Sequence, residues 1–201
     1  MQTTCAGIIL SGGLNSRMGG RNKALLELGG RSFIDRILTA IGGCFKELLL
    51  VTRQPELYND LPVRIVEDIF NIRTPLTGLH AGLVNMDADY GFCTSCDTPL
   101  LKTELVHMLV NEIDVYSDII VPGSGSYYQP LCAVYSKRTI PYIEDSLENC
   151  DIKTDGIYET LRVKRIPYQR LRAVDPKLDS FFNVNMPEDL QTAMQAIQPN
   201  L

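Results

Sequence analysis

LSGGLNSRMGGRNK, residues 10–23, is the stretch on which the reading of this sequence turns. The apolar run before it, residues 4–10, suits a buried strand, and Gly12 and Gly13 suit the turn that ends it. An open α/β sheet places ligands at the carboxyl ends of its strands, which is where this loop would lie. Glycines there let backbone amides approach phosphate oxygens. Arg17, Arg21 and Lys23 add three cations within seven positions. The combination points to phosphate binding, with a flexible surface loop as the bland alternative.

Two common nucleotide signatures are absent. G-x-x-x-x-G-K-[ST] needs Gly and Lys adjacent, whereas Gly20 is followed by Arg21 and Asn22. G-x-G-x-x-G does not occur either, which removes the main support for a dinucleotide-dependent dehydrogenase. What is present is a Leu10-x-Gly-Gly start, an Arg17-Met18-Gly19 core and a lysine at 23.

Outward from the loop, strand and helix signals alternate. Residues 32–44 read as a helix: Ser32 can cap it, Asp35 lies in its first turn, and Phe33, Ile34, Ile37, Leu38 and Ile41 share one face. Residues 47–52 (ELLLVT) read as a buried strand and 63–67 as a shorter one, ending at Asp68. A helix over 77–86 follows Pro75, then a strand over 90–97. Thr103 is expected to cap a helix carrying Leu105, Val106, Leu109 and Val110. Such alternation over the first 120 residues implies parallel strands joined by right-handed crossovers.

The later half is less regular. Strands at 118–122 and 129–135 flank the turn-rich GSGSYY, a helix covers 138–148, and strands are expected at 161–167 and 180–185. Pro187, with Glu188 and Asp189 in the first turn, opens a closing helix through Ile197. The expected fold is α/β: a single three-layer, Rossmann-like domain over residues 1–201. Its central sheet should be mostly parallel with helices on both faces, and its second half less regular.

The bulk properties agree with a soluble enzyme. At 201 residues folding can bury roughly 70% of the surface of the unfolded chain, so a core forms without staples. The net charge of −5, with no run of either sign, argues against a nucleic-acid or anionic-membrane binder. No stretch approaches the ~20 apolar residues that span a bilayer. The N-terminus also lacks the basic-then-apolar pattern of a signal peptide, so a cytoplasmic location is expected. The six cysteines are scattered in apolar surroundings and read as reduced, mostly buried thiols. Cys93-Thr-Ser-Cys96 supplies only two ligands, and His80 and His107 add no zinc-like spacing. If Asp97 faces a site, strand alternation puts Cys93 and Ser95 on its side and turns Cys96 away. Core packing is therefore expected of both thiols.

With the loop in hand, further segments make the sequence recognisable. Val66-Glu-Asp68 reads as a strand-end acidic motif, and Thr74-Pro-Leu-Thr-Gly78 is close to G-P-L-A-G. Cys96-Asp-Thr-Pro99 fits C-D-x-P. Gln129-Pro-Leu-Cys-Ala-Val-Tyr135 fits [EQ]-P-x-x-A-x-Y, and Phe182-Asn-Val-Asn-Met-Pro-Glu-Asp-Leu190 is close to F-x-N-x-N-T-P-E-D-L. In this order, along nearly the whole chain, they resemble the glycosyltransferase-A-like nucleotidyltransferases. Within that group the chain is most similar to the molybdenum cofactor guanylyltransferases, the MobA family.

The resemblance implies that GMP is joined from GTP to molybdopterin with release of pyrophosphate. It divides the chain into a nucleotide-binding half, about residues 1–100, and a pterin half, about residues 101–201. Lys23 then corresponds to a nucleotide-contacting lysine, and Arg17 to a loop arginine that meets the β- and γ-phosphates. The backbone of Leu10, Ser11, Gly12 and Gly13 would cradle the nucleotide. Thr52 and Asp68 carry over as nucleotide contacts, although Asp68 reads equally as a solvated acid at a strand end. Asp97 is the candidate ligand for Mg²⁺, a hard cation that takes carboxylate, phosphate and water oxygens; a turn-forming Asp before Thr98-Pro99 is the alternative. Gln129, Asn183 and Asn185 fall on the pterin side, where asparagines also serve as turn or capping residues. Hand-over between proteins of the molybdenum cofactor pathway is a further implication.

The chain departs from the family at several points. Ser11 and Thr77 replace alanines, Thr74 a glycine, Met186 a threonine and Asn22 an aspartate. No asparagine stands near Val51-Thr52, where the family often offers one to the nucleotide. These changes gather near the base-binding side. A cytidylyltransferase acting on the same pterin, or another small-acceptor nucleotidyltransferase, is therefore the nearest alternative. A sugar-nucleotide synthase is a more distant one. A non-catalytic nucleotide-binding carrier is the alternative of a different class, but it would not need the carboxylate at 97.

Overall fold

Strict alternation of inward and outward side chains builds the sheet from its central strand. The computed structural model describes residues 4–12 and 22–197; Gly13 and Arg17 lie outside the described residues. In chain order the strands are β1 (Cys5–Ser11), β2 (Glu27–Leu28), β3 (Arg31–Ser32), β4 (Leu48–Thr52), β5 (Arg64–Val66), β6 (Tyr90–Ser95), β7 (Ile119–Ser124), β8 (Tyr127–Tyr128), β9 (Cys132–Ser136) and β10 (Val163–Pro167). The α-helices are α1 (Phe33–Ile41), α2 (Pro75–Asn85), α3 (Thr103–Val110), α4 (Ile140–Glu148), α5 (Tyr168–Leu171) and α6 (Pro187–Ile197).

Among the described residues the main sheet runs β10-β7-β9-β6-β1-β4-β5, with β8 paired to β7 and a separate β2–β3 hairpin. β1 lies parallel to both β4 and β6, β5 is parallel to β4, and β10 is parallel to β7. β9 is antiparallel to β6 and β7, and the short β8 is antiparallel to β7; these reversals make the second half irregular. The expected mostly parallel α/β sheet is therefore present.

Side chains one residue apart enter opposite layers. Ala6, Ile8 and Leu10 of β1 join Leu49 and Val51 under α2 and α4. Ile9 and Leu50 join α1 and α3 on the other face. Gly82 matters to this packing: a Cβ there would fall 2.5 Å from Ile8 Cγ2, so the glycine lets α2 lie directly on β1. α2 starts earlier than expected, at Pro75, because Thr74 caps it by accepting from the Leu76 amide and proline fits the first turn.

Two sequence expectations fail. Thr103 does not cap α3; its hydroxyl donates to the Ala40 carbonyl at 2.8 Å, tying α3 to α1. Residues 180–185 form no strand. A short 3-10 turn, Asp179–Phe181, leads instead into an extended segment outside the sheet. Its apolar residues are buried differently: Val184, fully enclosed, packs with Leu28, Phe33 and Ala193, between α6 and the β2–β3 hairpin. Asp189 fixes the start of α6, because its Oδ2 accepts from the Asn185 and Met186 amides at 2.8 Å each. These two donors hold its carboxyl below the usual range.

Candidate active site

β1 is the topological switch point of the sheet. Its neighbour β4 is reached over one face through α1, and β6 is reached through α2 over the other. Crevices at the carboxyl ends of such strands are where α/β sheets bind ligands. The register Leu10 to Ser95 and Ser11 to Thr52 brings these strand ends level. Asp97 follows β6, anchored when the Cys96 amide donates to the Leu10 carbonyl at 3.0 Å. Asp68 follows β5, two strands away on the other side of β1.

The centre of the site joins the two ends of the chain. Lys23 Nζ donates to Asn185 Oδ1 at 2.7 Å and lies 3.8 Å from Asp97 Oδ2. The Asp97 carboxylate is oriented at its other oxygen, where Ser95 Oγ donates to Oδ1 at 2.6 Å. The Asp97 backbone carbonyl also accepts from the Val184 amide at 2.8 Å. Burial of Val184 thus has a consequence for the site: the segment carrying Asn183 and Asn185 is pinned to the residue that follows β6. Lys23 and Asp97 keep side-chain exposures of 16% and 21%, enough for a ligand to reach both. Asn183 is exposed and Asn185 half-buried.

Other expected residues lie apart from this cluster. Gln129 is half-buried beyond β8, and its Nε2 donates to the Tyr168 hydroxyl at 3.1 Å. Its amide donates to the Pro122 carbonyl of β7 at 2.9 Å, and its carbonyl accepts from the Cys132 amide at 3.0 Å, closing the turn into β9. Gln129 precedes β9, whose amino end pairs with the carboxyl end of β6 that leads to Asp97. Thr52 is buried and its hydroxyl accepts from the Gln54 amide at 3.1 Å. Gly12 is exposed directly after β1, and among the described residues no atom lies within 4 Å of where a Cβ would be.

Two supporting residues escaped the sequence reading. Tyr58, 1% exposed, shares a 2.6 Å hydrogen bond with Ser11 Oγ at the end of β1. Burial pushes its hydroxyl above its ordinary pKa, so it stays protonated at neutral pH. Arg53 donates through Nε to Asp68 Oδ2 at 2.6 Å. An aromatic residue in a polar turn (Tyr58) and an arginine between two strand-end candidates (Arg53) were the available signals. The serine at position 11 therefore has a local reason: its hydroxyl engages Tyr58. Tyr58→Phe should destabilise the fold by about 1–2 kcal/mol, since it withdraws one partner from a buried hydroxyl. Ser11→Ala in the same chain should add much less than its separate cost. Strictly additive losses in urea unfolding would show that the two hydroxyls are not coupled.

The two cysteines of Cys93-Thr-Ser-Cys96 lie in opposite layers of the core. Burial pushes the Cys96 thiol up to about 12 and raises Cys93 further, so both remain neutral thiols. They pack the core, as expected.

Comparison with known proteins agrees with this geometry. The family described as MobA-like NTP transferase domain matches residues 7–163. A molybdenum cofactor guanylyltransferase of Desulfosudis oleivorans is 39% identical over 96% of this chain and 95% of its own. A probable molybdenum cofactor guanylyltransferase of Pelotomaculum thermopropionicum is 36% identical over 93% of this chain and 90% of its own. The crystal structure of molybdopterin-guanine dinucleotide biosynthesis protein A from Archaeoglobus fulgidus superposes with a TM-score of 0.85 at 25% identity, covering 96% of this chain and 98% of that one. The match spans the loop, the strand ends and the carboxylate at 97, and the chain belongs to the MobA-like NTP transferase family.

Proposed function

We propose that the protein transfers GMP from GTP to molybdenum-bound molybdopterin, forming the guanine dinucleotide and pyrophosphate. The observation that carries this reading is the convergence of Lys23, Asp97 and Asn185 where the nucleotide-binding half meets the later half. Similarity to guanylyltransferases over nearly the whole chain supports guanine and the pterin as the substrates.

An oxygen of the pterin's terminal phosphate attacks the α-phosphorus, and the bond to the β-phosphate oxygen breaks. Both reactants are polyanions, so the protein's task is positioning and charge neutralisation. The backbone at Leu10, Ser11 and Gly12 cradles the nucleotide. Lys23 places its ammonium against the phosphates, and Arg17 meets the β- and γ-phosphates. Thr52 and Asp68 line the nucleoside side. Asn183 and Asn185, with Gln129 further out, receive the pterin.

The donor set fits Mg²⁺. Asp97 offers a partly exposed carboxylate whose Oδ1 is already held by Ser95. Mg²⁺ is usually held by one or two carboxylates with phosphates and water completing its shell. When bound there, the ion would stabilise charge on the triphosphate.

We place the reaction in the cytoplasm, where free cysteines such as these stay reduced. No helix of the described residues is long and apolar enough to cross a membrane. The test is pyrophosphate release with GTP, CTP, ATP and UTP, each with and without molybdopterin and Mg²⁺. Release is expected with GTP, and only when pterin and metal are both present. Turnover of CTP alone would overturn the guanylyl assignment, and tight GTP binding without turnover would favour a carrier.

A further inference from the structure

Arg53 follows β4 and gathers the segment that follows β5. Its Nε donates to Asp68 Oδ2 at 2.6 Å, and its Nη2 donates to the carbonyls of Phe70 at 3.2 Å and Ile72 at 2.9 Å. Thr77 Oγ1 shares its one proton between the same Ile72 carbonyl at 2.9 Å and the Thr74 carbonyl at 2.8 Å, tying the segment to the start of α2. The other carboxylate oxygen, Asp68 Oδ1, lies on the side of Gly78: a Cβ on Gly78 would sit 3.8 Å from it and 3.2 Å from Leu10 Cδ2. One oxygen of Asp68 is thus fixed by the guanidinium, while the other faces the wall formed by Leu10 and Gly78 at the end of β1.

We propose that Arg53 is a positioning residue that holds Asp68 Oδ1 toward a hydrogen-bond donor on the nucleoside. This inference rests on the reading of Asp68 as a nucleotide contact. The physical basis is a matter of rotamers. An unheld carboxylate at a strand end samples several orientations and must be ordered when the nucleotide binds. The charged bond from Nε, with two carbonyl bonds fixing the guanidinium plane, sets that orientation beforehand. Arg53 therefore acts on binding of the nucleoside portion, away from the phosphates and Asp97.

The test is steady-state kinetics with GTP and saturating molybdopterin for Arg53→Met, Arg53→Lys, Asp68→Asn and the Arg53→Met/Asp68→Asn pair. Arg53→Met is expected to raise the KM for GTP about tenfold while kcat stays within about threefold. Arg53→Lys keeps the charge beside Asp68 and should recover part of that loss. The pair should be little worse than Asp68→Asn alone, because both changes remove the same oriented oxygen. A raised KM in Asp68→Asn with an unchanged KM in both Arg53 variants would overturn the role of Arg53 alone. An unchanged KM in Asp68→Asn would overturn the underlying reading of Asp68 as well. Equal loss of kcat in Arg53→Met and Arg53→Lys, with KM unmoved, would mean that the arginine only supports the fold.

Discussion

Asp97→Asn is expected to lower turnover by about a thousandfold or more while leaving the fold intact. The asparagine retains an Oδ1 that can accept from Ser95 Oγ, as the aspartate does at 2.6 Å. The backbone carbonyl that receives the Val184 amide is unchanged by the substitution, so the Asn183–Asn185 segment should keep its place. What disappears is the negative charge. A neutral amide oxygen is a poor ligand for a hard divalent cation, and it no longer attracts the Lys23 ammonium 3.8 Å away. Pyrophosphate release reads the first effect, and urea unfolding within about 1 kcal/mol of the parent protein reads the second. Activity within tenfold of the parent would remove Asp97 from the metal role.

Lys23→Met should cost nearly as much, by a different route. Lys23 Nζ sits between Asn185 Oδ1 and Asp97 Oδ2, and its side chain is mostly buried. Methionine preserves much of the length and apolar stem but carries no charge. Loss of one preorganised cation from a phosphoryl-transfer site is expected to lower kcat/KM for GTP by about two to three orders of magnitude. Both kcat and KM should change, since on the proposed reading the charge would meet the triphosphate in the ground state and in the transition state. Asn185→Ala provides the contrast. It removes the oxygen that accepts from Lys23 at 2.7 Å but leaves the ammonium, so its effect on GTP should be smaller. A larger loss for Asn185→Ala than for Lys23→Met would reverse the assignment of the two residues.

Much of this was legible in the sequence, for reasons that particular residues make plain. The strands β1, β4 and β6 are buried on both faces, so they read as continuous apolar runs bounded by turn residues. Ser32 caps α1 by accepting from the Asp35 amide, a local interaction that a local pattern reveals. The opposite facing of Cys93 and Cys96 followed from period-two alternation alone. Errors arose where tertiary partners decide. Thr103 has the composition of a cap, yet its hydroxyl meets Ala40, 63 residues away in sequence. Phe182 and Val184 alternate with polar residues as a strand would, but their burial is against α6 and the hairpin and not in a ladder.

The site divides in the same way. Position after a strand brought Ser11, Asp68 and Asp97 into view, because a strand end is visible in sequence. The bond from Lys23 to Asn185 spans 162 residues and has no local signature. Arg53 and Tyr58 were missed because neither carries expected chemistry by itself: each matters through the residue it holds, Asp68 and Ser11. Such supporting contacts depend on which strands are neighbours, which becomes known only with the sheet order.

The most direct test of nucleotidyl transfer follows the phosphorus. The protein would be incubated with molybdopterin, Mg²⁺ and GTP labelled at either the α- or the γ-phosphate, and the pterin product and released phosphates separated. The α-label should appear in the pterin dinucleotide and the γ-label in pyrophosphate, in equal amounts. A γ-label found on the pterin or as free phosphate, with no α-label transferred, would contradict it.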